Sequence, residues 1–433
     1  MTKPLSGSPK ISLKKNFIWA FVGNAISAFC MWLLLVVLTK LGTVETVGIF
    51  AVAQAIALPI SLLFSLKLQI VQVTDAKNDY AFGHYYALRI ITSFLTVIVA
   101  GIVGFIFYPL ETVLIISLLG INYAIVSVRE VFLGFMQKSE RMDKMSISVA
   151  MQGVLSLIIF GIVFWVSNSL WLSVIGLSIS RLIVVFVYDF PVIRRLSGSI
   201  GASAVHWMRP IWSKDKLLSL VKLTTPMGLV AWLGQLFTSI PRLALEKYSG
   251  IKEVGYFAAI SSLLVVGTMV ITAISQAVSP RLAVYYVQNR IAYKWLLGKF
   301  LAVGLLLGIL GVLISTFFGK IVLTLMFKAD YAQHNKVFIL LTFASLVLFL
   351  FYGMNIALTA SRKLAIQLPL YALSTLACLV FSFLLIPKYG MMGATWALII
   401  CYFIGTLGCA IFVVKAYYEK DSLPKSAEEL SNV

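Results

Sequence analysis

The chain has 433 residues and a formal net charge of +19, with 61% hydrophobic and 12% charged residues. A soluble domain averages about 45–50% apolar and about 25% charged. The balance excludes a disordered chain, a coiled coil and an ordinary cytosolic enzyme, and describes a protein dissolved in lipid. Lys and Arg come in short clusters between long apolar runs. That is the pattern of membrane topology rather than of a phosphate-tracking groove, so no nucleic-acid partner is expected.

Residues 1–16, with Lys3, Lys10, Lys14 and Lys15, read as a cytoplasmic N-terminal tail. Apolar sequence then runs from Phe17 to about Thr39. It is too long for a signal-peptide core and lacks an A-x-A-like cut site, so it reads as a first span. Further runs cover about 48–66, 88–108, 112–136, 146–166 and 170–193. A basic cytoplasmic linker follows at 194–217, with Arg194, Arg195, Arg209, Lys214 and Lys216. Six more runs cover about 218–241, 254–277, 295–317, 336–360, 364–386 and 391–415, and 416–433 reads as a disordered cytoplasmic tail. Each run is about the 20 residues one membrane helix needs, twice the length of a barrel strand, and does not alternate. The expected fold is an all-α integral membrane protein of twelve transmembrane helices. They form two parallel six-helix lobes, 17–193 and 218–415, around a central cavity.

With the N-terminus inside, 26 Lys and Arg fall on inner segments and 8 on outer ones, with Arg181 inside a span. The excess predicts cytoplasmic termini at both ends. The halves repeat at an offset of 207: LTKLGTVETVGIFA at 38–51 matches LEKYSGIKEVGYFA at 245–258. Six spans per half would insert both copies the same way up, the arrangement of parallel-repeat transporters that bind substrate between halves.

Arg181 lies near the middle of the sixth span, where a charge costs roughly 2.5–3.5 kcal/mol on insertion scales. No carboxylate stands three or four residues away on its helix. It therefore requires an acid on another helix, such as Glu130, or a wet cavity or an anionic ligand. Arg129 sits towards the inner end of the fourth span and reads as reaching the inner headgroups. Arg242 follows Pro241 at the outer end of the seventh span, and Asp189 and Lys222 read as interfacial. Asn24, Gln54, Asn122, Gln152, Gln235, Gln276, Asn355 and Gln367 are spread over eight spans. Singly, each is explained as interhelical glue; together they suggest a polar interior. Asn24 and Gln235 stand out because they occupy the first spans of the two halves.

No GxxxxGK[ST] or HExxH occurs, and Cys30, Cys378, Cys401 and Cys409 all sit in apolar runs without a CxxC pair. No metal, cofactor or disulfide framework is expected. The outer loops are too short for a catalytic cluster, which argues against an enzyme.

Several junctions carry a family resemblance. They are Asn24, Leu38–Lys40–Leu41–Gly42 with Val47–Gly48–Ile49–Phe50, the matching Glu253–Val254–Gly255–Tyr256–Phe257, Ser279–Pro280–Arg281–Leu282, and Ile386–Pro387–Lys388–Tyr389–Gly390–Met391–Met392–Gly393–Ala394. Over roughly Lys15 to Lys415 the chain resembles the polysaccharide flippases (Wzx-type O-antigen and capsule translocases) of the multidrug/oligosaccharidyl-lipid/polysaccharide exporter superfamily. It departs from them at Pro241, where such proteins often carry an acid before the Arg. The resemblance implies alternating-access translocation of a polyprenyl-diphosphate-linked oligosaccharide across the bacterial inner membrane. A glycan polymerase, chain-length proteins and membrane lipids are candidate partners. Arg181, Arg129, Asn24, Gln54, Gln235 and Arg242 are the candidate substrate contacts, since guanidinium suits phosphate and amides suit sugars. The alternatives are a cation-coupled multidrug exporter of the same superfamily, which would want intramembrane carboxylates, and a membrane glycan polymerase or ligase.

Overall fold

The computed structural model describes residues 13–75, 77–198, 209–361 and 366–419. Much of both tails and of the 194–217 linker therefore lies outside the described residues. Helices occupy nearly all of the described chain, and no strand occurs among those residues. Eleven helical stretches are long and apolar enough to cross a membrane, with mean hydropathy from 1.4 to 2.6. With no water in hydrocarbon, a backbone must bond to itself, and helices do this within one segment.

The first helices are α1 (Leu13–Leu41), α2 (Val44–Ser65), α3 (Leu68–Thr74), α4 (Phe82–Phe107), α5 (Leu110–Lys138) and α6 (Met142–Ser167). Next come α7 (Leu170–Val184), a π-helical turn (Val185–Asp189) and α8 (Phe190–Gly198). The second half holds α9 (Lys214–Ser249), α10 (Ile251–Ser262), α11 (Leu264–Gln288), α12 (Arg290–Met326), a 3₁₀ turn (Ala329–His334), α13 (Asn335–Ala360) and α14 (Gln367–Glu419). By contacts the chain divides into two units. One takes the described residues up to Leu263 with Leu323–Tyr331; the other takes Leu264–Val322 and the residues from Ala332 onward. This packing division falls elsewhere than the sequence linker, because α9 and α10 both pack on α2.

Two breaks shape these units. In α14, Gly390 adopts φ 53° and ψ −129°, outside the helical region. A Cβ on Gly393 would stand 2.4 Å from the Leu385 carbonyl oxygen, and one on Gly408 would stand 2.5 Å from the Leu370 side chain. Residues 385 and 393 would be about 12 Å apart along a straight helix. The chain therefore turns back at Gly390, and α14 is a helical hairpin whose arms cover the two runs expected at 364–386 and 391–415. In the first unit, α2 ends where Leu66 and Lys67 take φ 50° and 49°. Left-handed backbone is costly for such residues and stops the helix, leaving its last carbonyls without helical partners.

The repeat is visible in the first unit. A Cβ on Gly48 would meet the Ile251 carbonyl oxygen at 2.1 Å, and a Cβ on Gly255 would meet the Val44 carbonyl oxygen at 2.1 Å. Positions 44 and 251, like 48 and 255, are separated by the repeat offset, so each copy offers the other the same surface. Such an exchange of partners marks a two-fold contact. Only glycine permits this backbone approach. Glu45 and Lys252, also equivalent, pair at 3.1 Å beside it.

Candidate functional site

The site is built on α5, in the first unit. Its C-terminal half carries Arg129 and Glu130, which as neighbours on a helix face different partners. Arg129 Nε lies 2.7 Å from Asp189 Oδ2. Arg129 Nη2 donates to the Ser148 hydroxyl, which donates to Asp189 Oδ1, closing a triangle between α5, α6 and the π turn. Both Arg129 and Asp189 are buried. The π turn supplies the register: a wider turn advances the side chains that follow it, and such turns concentrate at functional sites. Two expectations are corrected here. Asp189 and Arg129 do not present their charges to the surroundings of the protein; both are buried, each against the other.

Glu130 Oε2 accepts from Arg89 Nη2 at 3.1 Å, and Arg89 Nη1 donates to the Ser65 carbonyl at 3.0 Å. Ser65 is the last residue of α2, so Arg89 caps one of the carbonyls released by the Leu66–Lys67 break. A cation there also meets the negative end of the helix dipole. Arg89 is fully buried. The apolar run that begins at about residue 88 puts Arg89 at the very edge of its span, whereas α4 starts at Phe82 and carries Arg89 about two turns in. Two acids near the inner ends of their spans, each in need of a cation, were the signal that could have found it.

Arg181 differs. It is 4% exposed, and its Nη1 donates to the Asn122 carbonyl at 3.2 Å. Its Nε is buried without a hydrogen-bond partner, as is Asn122 Oδ1. Among the described residues no carboxylate pairs with it, and Glu130, its suggested acid, is held by Arg89. Asn122 Nδ2 donates to the Ser178 hydroxyl at 3.2 Å, tying α5 to α7 beside the guanidinium. Arg181 lies within electrostatic reach of Tyr123 and of Arg129. Tyr123 in turn accepts from Gln54 Nε2 at 3.3 Å and lies within reach of Arg242. Of the candidate residues, Gln54, Arg181 and Arg242 thus gather around Tyr123, and Arg129 stands about 10 Å further along α5 by helical rise. Arg242 lies inside α9, since that helix runs on through Pro241 to Ser249.

Asn24 and Gln235 are not brought to this group by any bond. Asn24 is exposed and donates to the Ala20 carbonyl one turn back at 2.8 Å. Gln235 bonds Thr238 on its own helix at 2.9 Å. Beside the cluster, an apolar groove of about 450 Å³ runs between α4, α5 and the end of α7, lined by Ile121, Ile125, Leu182 and Phe186 among others. No group of three or more His, Cys, Asp or Glu that could hold a metal ion occurs among the described residues. Of the three buried guanidiniums, two are paired with carboxylates, and among the described residues Arg181 has a backbone carbonyl as its one hydrogen-bond partner. Chemically it can receive an anion.

Residues 13–285 match the family described as polysaccharide biosynthesis protein. The chain is 33% identical over 411 residues to the capsular polysaccharide biosynthesis protein CapF of Staphylococcus aureus, covering 93% of this chain and 100% of that one. In structure it is similar to the lipid II flippase MurJ in an inward closed conformation, with a TM-score of 0.71 and 13% identity over 93% of this chain and 89% of that one. It is similar also to a MOP superfamily transporter from Pyrococcus furiosus, with a TM-score of 0.66 and 12% identity over 97% and 98%. At these identities the two structures show the fold, that of MOP superfamily transporters.

Proposed function

The chain belongs to the polysaccharide biosynthesis protein family, and from that premise we propose that it is a flippase for a polyprenyl-diphosphate-linked oligosaccharide. It works in the bacterial inner membrane with both termini cytoplasmic and twelve crossings, counting the arms of α14 separately. The halves 17–193 and 218–415 act as lobes in alternating access. The cargo is carried towards surface polysaccharide such as a capsule, in company with a glycan polymerase and chain-length proteins.

The observation that carries this reading is Arg181: a guanidinium in mid-span, 4% exposed, with a buried unpartnered Nε and no carboxylate among the described residues. An unneutralised charge in hydrocarbon is kept for a function, and planar guanidinium is suited to phosphate. Gln54, Tyr123 and Asn122 stand beside it as neutral groups able to bond sugar hydroxyls. The apolar groove on α4, α5 and α7 faces hydrocarbon, where a prenyl chain is at home. A cation exporter would instead want an available intramembrane carboxylate, and Glu130 and Asp189 are both held by arginine.

Arg181→Ala is expected to lower movement of fluorescent lipid-linked oligosaccharide across reconstituted vesicles at least tenfold while the protein inserts normally. Unchanged movement removes Arg181 from the site. Movement of ethidium-like cations in place of the glycolipid replaces the flippase with the drug exporter.

A further inference from the structure

The triangle of Arg129, Asp189 and Ser148 is more than a brace, because of what stands next to it. Arg181 lies close enough to Arg129 for the two cations to repel. With Asp189 ionised, three charges share one buried region and leave a net single positive charge. A diphosphate brings more than one negative charge and would draw on both guanidiniums. Asp189 already holds Arg129 through Nε and, by way of Ser148, through Nη2. The carboxylate and the incoming anion therefore compete for one cation.

Resting on the flippase reading, we infer that Asp189 is the proton-binding group of the site: it holds Arg129 while ionised, and releases it to the cargo's diphosphate on taking up a proton. The bonds balance simply. One proton goes to an Asp189 carboxyl oxygen, the ionic contact with Arg129 is given up, and the guanidinium N–H groups turn to phosphoryl oxygens. A proton fits better than a metal cation here. A metal ion wants a cage of oxygens, whereas this carboxylate has a guanidinium against it and, among the described residues, bonds one further side chain, the Ser148 hydroxyl.

Tyr188 is the group best placed to pass the proton on. Tyr188 carries a buried hydroxyl without a hydrogen-bond partner, and it lies within reach of both Asp189 and Asp143. Asp143 pairs with Arg141 at 2.7 Å at the start of α6, the end of that helix expected to face the cytoplasm. The charged and titratable groups facing Asp189 are thus Arg129 from α5 and Tyr188 from the π turn itself, with Arg181 from α7 behind Arg129, and Asp143 of α6 and Arg141 of the turn before it behind Tyr188. Arg194 and Arg195 on α8 are exposed.

The sign follows from linkage. Binding the anion removes Asp189's counter-cation and adds negative charge nearby, so the bound state holds the proton more tightly. Affinity therefore rises as pH falls, by about tenfold per pH unit where one proton accompanies one anion. The test uses the full chain in nanodiscs with farnesyl diphosphate as probe. Titration calorimetry in two buffers of different ionisation enthalpy counts the protons taken up. Wild type is expected to take up about one proton more per anion than Asp189→Asn, which subtracts the probe's own titration. The variant should also lose the tenfold-per-unit dependence. Equal counts in wild type and a folded variant overturn the inference while leaving the flippase reading in place. Absence of binding in any form, with lipid-linked oligosaccharide also unbound, overturns the reading itself. Should Asp189→Asn not fold, infrared difference spectra of wild type decide. A protonated-carboxyl band that appears on adding the diphosphate and shifts with ¹³C-Asp labelling supports the inference, and its absence overturns it.

Discussion

The two units of the chain keep polar groups in their interiors by different means. The first buries charge: Arg89 against Glu130, Arg129 against Asp189, and Arg181 against a carbonyl. The interior of the second is an amide and hydroxyl network. Gln367 Nε2 donates to Asn355 Oδ1 at 2.9 Å, Asn355 Nδ2 donates to the Tyr371 hydroxyl, and the Ser315 and Thr342 hydroxyls share a bond of 2.8 Å. Neutral groups that satisfy one another are ordinary glue between membrane helices. Buried charge is not, since a well-packed apolar replacement is often as stable or more so. What the second unit does for packing, the first does at a cost that packing does not explain, and Arg181 is the place where the cost is left uncompensated.

The strongest way to break this comparison is to remove one neutral and one charged partner and weigh them. Glu130→Gln leaves the fully buried Arg89 without its counter-ion. Breaking a buried pair costs about 3–5 kcal/mol. The lower end, about 3 kcal/mol, is expected because the Glu130 side chain is 30% exposed. Asn355→Ala in the second unit should cost about 0.6–1.7 kcal/mol, from the average to the largest value found for interhelical polar contacts. Denaturant titration in detergent reads both. Equal losses would mean that the charged interior is glue after all.

Much of this architecture was legible in the chain itself. Apolar run length predicts the spans, and the offset of 207 puts Gly48 and Gly255 at equivalent positions, whereas their exchange of partners is visible only in the structure. Arg181 stands out by its position alone. The partners of the other charges were not legible. A helical wheel tells which residues share a face, but Arg129 and Asp189 lie on different helices and meet through a π turn that no composition announces. Arg89 was hidden by a span boundary drawn some six residues late, which is where hydropathy is least informative: α4 opens with Phe82, Gly83, His84 and Tyr85 rather than with an aliphatic run. Gln235 and Asn24 drew attention by symmetry of position, yet symmetry of position does not choose a side-chain partner, and each bonds within its own helix.

The repeat contact offers a prediction of intermediate size. Gly48→Ala and Gly255→Ala would each push a methyl to 2.1 Å from a carbonyl oxygen of the opposite copy. Overpacking of this kind costs about 1–3 kcal/mol. Because the two positions exchange partners, the two variants should lower the unfolding free energy, read by denaturant titration in detergent, by the same amount within about 0.5 kcal/mol. A large loss from one and none from the other would show that the repeat's surfaces have diverged in strength although they match in geometry.

The smallest effect separates charge from burial. Glu45 and Lys252 pair at 3.1 Å in the same unit as the buried arginines, but their side chains are 51% and 68% exposed. If charge as such distinguished the first unit, this pair would couple as strongly as the buried ones. Solvent screening argues otherwise: exposed pairs are worth about 0–1 kcal/mol, and the Debye length of about 8 Å at physiological salt weakens them further. A double-mutant cycle of Glu45→Gln with Lys252→Gln should therefore give a coupling below about 0.5 kcal/mol that fades in 1 M salt. A coupling of about 3 kcal/mol that survives high salt would place the boundary between the two units in the kind of charge they use rather than in its removal from water.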